Sequence, residues 1–249
     1  MGGPDALRFN EICDKVLASE HEKAGIGTLN EKALHSILKL YLEPDETKHE
    51  VKVGRFVADI LRDDRIIEIQ TRNFYGMKKK LAFFLEKYPV TIVYPMANEK
   101  YINWIDPDTG EIKTRRRSPK KPHPQEMAHE LIHILPFIED PNLSFHIIYI
   151  NVEDYRLLNG WDSSRKRGSQ RYERIPTGIV SEKHIKSISD YTWFIPDSLP
   201  AEFTKKEYKK STGITDTCAQ RMLYILTKLE LLRRTGRRGR AWIYERSVP

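Results

Sequence analysis

The chain has 249 residues, of which 39% are hydrophobic, and this is enough to bury a sizeable core in one large domain or two smaller ones. Its two cysteines, Cys13 and Cys218, are too few for a disulfide framework or for a zinc site built from cysteine alone. The first residues carry charges throughout and contain no apolar run of signal-peptide or membrane-span length. We therefore expect a soluble cytoplasmic protein without membrane contact.

The net charge of +7 is unevenly distributed along the chain. Residues 1–160 hold 23 Lys and Arg against 25 Asp and Glu, a net charge of −2, whereas residues 161–249 hold 19 against 10, a net charge of +9. A segregated basic region is the electrostatic pattern expected of nucleic-acid binding, and solubility is the alternative reason for such a charge.

Apolar spacing predicts a helix over about residues 5–22 and a second helix that Asn30 caps. The apolar stripe of the second helix is Leu34, Ile37, Leu38 and Leu42. The following elements are expected to be strands at 50–53, 56–61 and 65–71, a basic helix at 75–88, a strand at 90–96, a hairpin at 100–118, a short helix near residue 130 and a strand at 143–152. A polar loop is predicted at 158–178, and from about residue 179 the chain is predicted to be mostly helical.

The short helix contains the motif His129-Glu130-Leu131-Ile132-His133, which has the HExxH spelling of a zinc protease. Two histidines one helical turn apart can share a zinc ion while the glutamate between them activates the metal-bound water. A third ligand would have to be Glu153, which follows a predicted strand rather than a second helix. We therefore expect a short packed helix without stoichiometric zinc, and a zinc metallopeptidase stays as an alternative function.

Residues 49–74 contain the more informative pattern. If Gly54-Arg55 and Asp63-Asp64 are two-residue hairpin turns, the register places Glu50 opposite Asp59 and Asp59 opposite Glu68. Gln70 lies on the same face, and the opposite face would be apolar, comprising Val51, Val53, Ala58, Ile60, Ile67 and Ile69. Like charges directly opposite one another destabilise a strand pair, so the row predicts a bound cation, for which carboxylates favour Mg²⁺ or Mn²⁺. A solvated acidic face neutralised by Lys52 and Arg65 is the alternative.

The order of these elements and acids resembles the PD-(D/E)XK phosphodiesterase superfamily, which has a restriction-endonuclease-like α-β-β-β-α-β core. The resemblance, over roughly residues 30–100, implies that Asp59 and Glu68 bind the metal, that the Ile69 carbonyl reaches it, and that Gln70 stands where the family has lysine. Glu31 or Glu50 would supply an additional acid. Arg72 and Asn73 would contact a phosphate, and neutralisation of the acidic row is the alternative role of Arg72. The stretch at residues 57–74 also resembles a group of uncharacterised prokaryotic proteins with a helix-turn-helix tail, which implies no established activity.

Glutamine at position 70 leaves the activity open, because it can orient water but carries no charge. Lys52, which is predicted on the same face as the carboxylates, or a lysine from the run Lys78 to Lys80 could compensate for that missing charge. The resemblance thus implies metal-assisted hydrolysis of DNA phosphodiester bonds, with a non-catalytic DNA-binding regulator as the alternative.

The basic tail contains a short helix ending at Gly213, a longer helix with the buried stripe Ala219, Met222, Leu223 and Leu226, and a hairpin. This order resembles a winged helix-turn-helix, which implies that the longer helix enters the major groove and the hairpin touches the DNA backbone. Base contacts would come from Thr215, Asp216, Thr217, Gln220 and Arg221, and phosphate contacts from Arg234, Arg237, Arg238 and Arg240. A winged helix that contacts protein is the alternative.

The combined prediction is an α/β protein with three parts. A nuclease-like domain covers residues 1–160, a basic linker covers 161–180, and a winged-helix domain covers 181–249. The expected partner is duplex or branched DNA, the expected cofactor is Mg²⁺ or Mn²⁺, and a homodimer is possible.

Overall fold

The computed structural model describes residues 3–24, 32–157 and 170–247. The α-helices are α1 (Ala6–Ala24), α2 (Lys32–Leu42), α3 (Phe74–Leu85), α4 (Ala128–Leu131), α5 (Lys205–Thr212) and α6 (Asp216–Lys228). Short 3-10 helices cover Glu46–Lys48, Pro124–Met127, Leu135–Phe137 and Ile188–Phe194. The strands are β1 (His49–Val53), β2 (Phe56–Arg62), β3 (Arg65–Ile69), β4 (Val90–Ile105), β5 (Ile112–Arg117), β6 (Leu143–Leu157), β7 (Gln170–Ile185), β8 (Glu202–Thr204), β9 (Leu232–Arg238) and β10 (Ala241–Arg246).

Within these residues, strands β1 to β7 form one mixed sheet in the order β1-β2-β3-β4-β6-β7, with β5 paired to β4. The β1-β2 and β2-β3 pairs are antiparallel, and β4 runs parallel to both β3 and β6. Strands β8, β10 and β9 form a second sheet near the C-terminus. The predicted α/β class is therefore confirmed.

The two tight turns of the first sheet are also confirmed. Val53 pairs with Phe56 across Gly54-Arg55, and Arg62 pairs with Arg65 across Asp63-Asp64. Gly54 has a φ of 60°, and Asp63 and Asp64 have φ values of 48° and 56°, the left-handed backbone that tight hairpin turns require. Loop length and turn chemistry thus determine the register of β1, β2 and β3.

Helices cover both faces of the large sheet. On one face, Phe74, Leu81 and Phe84 of α3 pack into a core that continues to Leu226 of α6. On the other face, α1 and α2 pack Phe9, Leu34, Ile37 and Leu38 into a second core. In the described part of the chain, no helix has both the length and the apolar character needed to cross a bilayer.

The apolar set expected on one face of β1–β3 is divided between the two cores, which corrects that prediction. Val51, Val53 and Ala58 pack with the α3 side, whereas Ile60, Ile67 and Ile69 pack with the α1/α2 side. The division falls beside Glu50, whose φ of 52° interrupts the regular alternation of an extended strand.

The predicted linker at residues 161–180 and the helical content expected from residue 179 also differ from the structure. Residues 170–185 form β7, which pairs with β6 at the end of the strand order. An edge strand needs a partner on one side only, so it tolerates Pro176 and a run of charged residues that would disfavour a central strand. The rest of the predicted linker, residues 161–169, lies outside the described residues.

Candidate functional site

Asp59 of β2 and Glu68 of β3 lie next to each other, as their register predicts. The backbone N–H of Asp59 donates to Oε1 of Glu68 at 3.2 Å, and the backbone N–H of Ile69 donates to Oδ2 of Asp59 at 2.7 Å. These bonds fix both carboxylates at the point where β2 and β3 meet the α3 side of the sheet. Their other oxygen atoms carry the negative charge that a cation or a lysine can neutralise.

Lys80 of α3 reaches this pair of carboxylates. Its Nζ atom lies 2.5 Å from Oε2 of Glu68, whose side chain is only 5% exposed. The chain turns into α3 soon after β3 ends, and the packing of α3 against the sheet brings its second turn over Glu68. Lys80 thus brings to the carboxylate pair a positive charge that the neutral Gln70 side chain does not provide.

Burial, followed by the negative charge of Asp59, raises the pKa of Glu68 to about 7. The ion pair with Lys80 opposes this rise but does not cancel it. Near neutral pH, Glu68 is therefore divided between its protonated and ionised forms. A divalent cation beside Asp59 and Glu68 would favour the ionised form.

Gln70 makes a contact that differs from the one implied by the resemblance. Its amide nitrogen donates to the backbone carbonyl of Arg72 at 2.5 Å, so it stabilises the loop before α3 rather than contacting the carboxylates. The backbone N–H of Ile69 donates to Asp59, and the metal contact of the Ile69 carbonyl stays a prediction. Arg72 is exposed beside this loop.

Only Asp59 and Glu68 of the predicted row of three carboxylates lie together, because the Glu50 side chain points toward α2. Its left-handed backbone directs the side chain to α2, where Oε1 lies 2.8 Å from Nζ of Lys39. The Glu50 side chain is 70% exposed, and Lys39 holds its pKa below the usual range. Glu31, the other predicted acid, lies outside the described residues.

The three polar residues of the HExxH motif contact three different neighbours. His129 Nδ1 lies 2.9 Å from Nη1 of Arg221 in α6, and Glu130 Oε2 accepts the backbone N–H of Phe74 at 2.9 Å. The His133 ring packs edge-on against Tyr75, with 5.8 Å between ring centroids. The segment thus connects the start of α3 to α6.

The predicted short helix is a single α-helical turn, α4, which covers only Ala128–Leu131. Pro124 and Pro136 flank the segment, and proline limits helix extension. Glu153 lies on β6, where it accepts hydrogen bonds from Arg115 and Asn103. The contacts of this segment therefore do not describe a zinc site.

A groove of about 550 Å³ separates α6 from the C-terminal hairpin. Three of the predicted base-contacting residues line it, namely Thr217, Gln220 and Arg221. Thr215 instead caps α6, because its hydroxyl accepts the backbone N–H of Cys218 at 3.3 Å. Asp216 forms an ion pair with Lys205 at 2.7 Å.

The hairpin arginines fall into different environments. The guanidinium groups of Arg234 and Arg237 lie over the Trp242 ring, at 5.0 and 4.2 Å from its centroid. Arg238 forms an ion pair with Glu207 at 3.0 Å. Arg240 is exposed and lines the groove.

Two aromatic residues of the groove, Tyr224 and Trp242, were missed by the sequence analysis. Both are exposed, Trp242 to 38%. Their sequence signal is weak, since each stands among apolar residues that read as core. Exposed aromatic rings beside arginines are suited to stacking on nucleic-acid bases.

Residues 32–186 match a protein family described as "Domain of unknown function (DUF8091)". The match begins with α2 and ends just after β7, so it includes Asp59, Glu68 and Lys80 but not α5 and α6. An uncharacterized protein of Treponema pallidum (strain Nichols) is 26% identical over 232 residues, which cover 90% of this chain and 88% of that protein. No solved structure matches the chain. Because the family match spans more than half of its length, the chain belongs to the DUF8091 domain family.

Proposed function

We propose that the protein is a metal-dependent DNA phosphodiesterase of the PD-(D/E)XK type with a winged helix that binds DNA. The observation that carries this proposal is the meeting of Asp59, the buried Glu68 and Lys80 at one point of the sheet. Two carboxylates and a lysine in contact are the chemical groups that this class of nuclease uses to hold a cation and to contact the transferred phosphate.

The topology around these residues supports the proposal. Helix α2 precedes the antiparallel strands β1, β2 and β3, and α3 then crosses to β4, which runs parallel to β3. This order resembles the α-β-β-β-α-β core of the superfamily. Asp59 and Glu68 stand on its second and third strands, where that family places its two acids.

The chain's own residues have distinct proposed roles. Asp59 and Glu68 would hold Mg²⁺ or Mn²⁺, since hard cations prefer carboxylate oxygen. When bound, the cation would lower the pKa of the attacking water and stabilise charge in the transition state. Lys80, which contacts Glu68, would offset the charge that develops on the phosphate. Gln70 stabilises the loop that presents Arg72 beside the site.

The C-terminal elements support DNA binding. The order β8-α5-α6-β9-β10, with β10 between β8 and β9, resembles a winged helix. Helix α6 would present Thr217, Gln220 and Arg221 to base edges. Arg237 and Arg240 of the hairpin would contact phosphates and supply most of the affinity.

The HExxH segment supports a joint action of the two regions. It contacts α6 through His129 and the first turn of α3 through Glu130 and His133. Ile132 of the same segment lines the C-terminal groove. Since α3 carries Lys80, DNA held by α6 would lie on a surface that continues toward the carboxylates.

The test is a cleavage assay with labelled single-stranded, duplex and branched DNA in Mg²⁺ and in Mn²⁺. Asp59→Asn and Lys80→Met are expected to abolish or strongly reduce cleavage, while DNA affinity changes by less than about tenfold because the basic tail provides it. Glu50→Gln is the matched control, and it should retain activity because Glu50 faces Lys39. Cleavage that persists in Asp59→Asn would refute the assignment of this site.

A non-catalytic DNA-binding regulator is the second candidate function. Gln70 favours this function, because it stands where the family has lysine, carries no charge and donates its amide N–H to the Arg72 carbonyl. DNA binding by the wild type without cleavage of any of the three substrates would select this function. The same assay therefore separates the two candidates.

A further inference from the structure

A second cluster of potential metal ligands lies on the opposite face of the large sheet. His146 of β6 pairs directly with His184 of β7, and Glu182 stands two residues before His184 on the same face. Ile148, which shares a face with His146, packs with α1 and α2, whereas Glu68 contacts Lys80 on the α3 side. The cluster is therefore separate from the carboxylate pair.

The three side chains are close enough to share one ion. One ligand atom from each of His146, Glu182 and His184 lies within 4.8 Å of the other two. Nε2 of His146 is 3.6 Å from Oε1 of Glu182, and the two imidazole rings stack with centroids 4.0 Å apart.

The buried polar atoms of this cluster are incompletely hydrogen-bonded. Nε2 of His146 and Oε1 of Glu182 face each other at 3.6 Å, just beyond hydrogen-bond distance, and have no closer partner among the described residues. The His146 side chain is only 9% exposed, so solvent does not complete the contact. An ion between the two atoms would satisfy both.

The donor atoms indicate which ion fits. Two imidazole nitrogens and one carboxylate oxygen form a zinc ligand set, whereas Mg²⁺ and Ca²⁺ require oxygen ligands. Zinc bond lengths of about 2.0–2.2 Å in a tetrahedron place ligand atoms about 3.4 Å apart. The His146–Glu182 separation of 3.6 Å is close to this value. The His184 ring stacks on His146, so ion binding would require it to rotate out of this stack to aim a ring nitrogen at the ion.

His146 and His184 line a groove of about 600 Å³, so a further ligand of a bound ion would come from this groove. Arg62, Arg65 and Lys186 line the same groove and give it a positive charge. An anionic oxygen, such as that of a phosphate group, would therefore complete the coordination. We propose that His146, Glu182 and His184 form a zinc site whose open position binds an anionic oxygen ligand.

The experiment uses the full-length protein after removal of metal with a chelator. Titration with Zn²⁺ should reach one bound ion per chain and raise the melting temperature by about 5–10 °C at a free zinc concentration about 100 times Kd. Co²⁺ should give the visible absorption of a tetrahedral site, and inorganic phosphate should shift that spectrum.

Variants locate the ion. His184→Asn and Glu182→Gln should each lower zinc affinity at least about tenfold, with folding checked by circular dichroism. His133→Asn is the matched control in the HExxH motif, and it should bind zinc as the wild type does. Failure of the wild type to bind zinc would overturn the proposal. Loss of zinc binding in His133→Asn alone would place the ion in the HExxH motif and would also overturn the proposal. A Co²⁺ spectrum that phosphate leaves unchanged would refute the anionic ligand.

Discussion

Replacing the carboxylate of Glu68 with an amide should stabilise the protein at alkaline pH. Glu68 is buried beside Asp59, and its pKa of about 7 lies above its ordinary value of 4.5. Folding therefore favours the protonated form, and the ionised form carries a free-energy cost. Glu68→Gln keeps the shape of the side chain and removes that cost.

The magnitude follows from the two pKa values. A difference between 4.5 and about 7 corresponds to about 3 kcal/mol, because one pKa unit corresponds to about 1.4 kcal/mol. Because the folded-state pKa is raised, the contribution of Glu68 to stability is fully present below about pH 4.5 and is lost as the pH rises through about 7. That pKa already includes the opposing ion pair with Lys80, so the expected net gain of Glu68→Gln at alkaline pH is up to about 3 kcal/mol.

The assay is chemical unfolding of wild type and Glu68→Gln at about pH 4.5 and about pH 8, in chelator and in Mg²⁺. The two proteins should be about equally stable at the lower pH, and the variant should be more stable at the higher pH without metal. If the proposed site binds Mg²⁺, the ion should stabilise the wild type increasingly as the pH rises and leave the variant unchanged, because only ionised Glu68 would bind the cation.

Glu50→Gln is the control of opposite sign. Lys39 lowers the pKa of Glu50, so that group stabilises the fold above its ordinary pKa and loses the contribution as the pH falls. Its exposure limits the effect to less than about 1 kcal/mol. A Glu68→Gln variant that is less stable than wild type at about pH 8 without metal would refute the argument from burial.

Three further predictions concern other regions. Arg237→Ala combined with Arg240→Ala should weaken duplex binding about equally for all sequences and reduce the salt slope by about two. Glu130→Gln should lower the free energy of unfolding by about 1 kcal/mol, because the backbone N–H of Phe74 loses a charged acceptor. Asp154→Ala should lower it by about 3–5 kcal/mol, because two arginines lose a fully buried partner.

Each of these predictions has a contrary outcome. Unchanged DNA binding in the double arginine variant would show that the hairpin does not contact DNA. Wild-type stability of Glu130→Gln in urea would show that its contact with the start of α3 contributes little. A loss of less than about 1 kcal/mol in the free energy of unfolding of Asp154→Ala would show that solvent hydrates the two arginines in place of the carboxylate.

The sequence determined the features that depend on near neighbours in the chain. Turn chemistry at Gly54 and at Asp63-Asp64, together with loop length, sets a register that places Asp59 beside Glu68. The apolar spacing of α6 identifies its buried stripe, since a helix repeats every 3.6 residues. These rules are local, so they apply before any tertiary contact is known.

The tertiary structure decided the features that join distant segments. Lys80 reaches Glu68 only because α3 packs against the sheet, and Glu50 leaves the acidic row because of one left-handed residue. The HExxH residues contact α3 and α6. His146 lies opposite His184 because β7 pairs with β6 in one particular register. Side-chain periodicity within a segment does not encode which distant segment will pack against it. Long-range packing therefore set which chemical groups meet, while local sequence set the strands and helices that carry them.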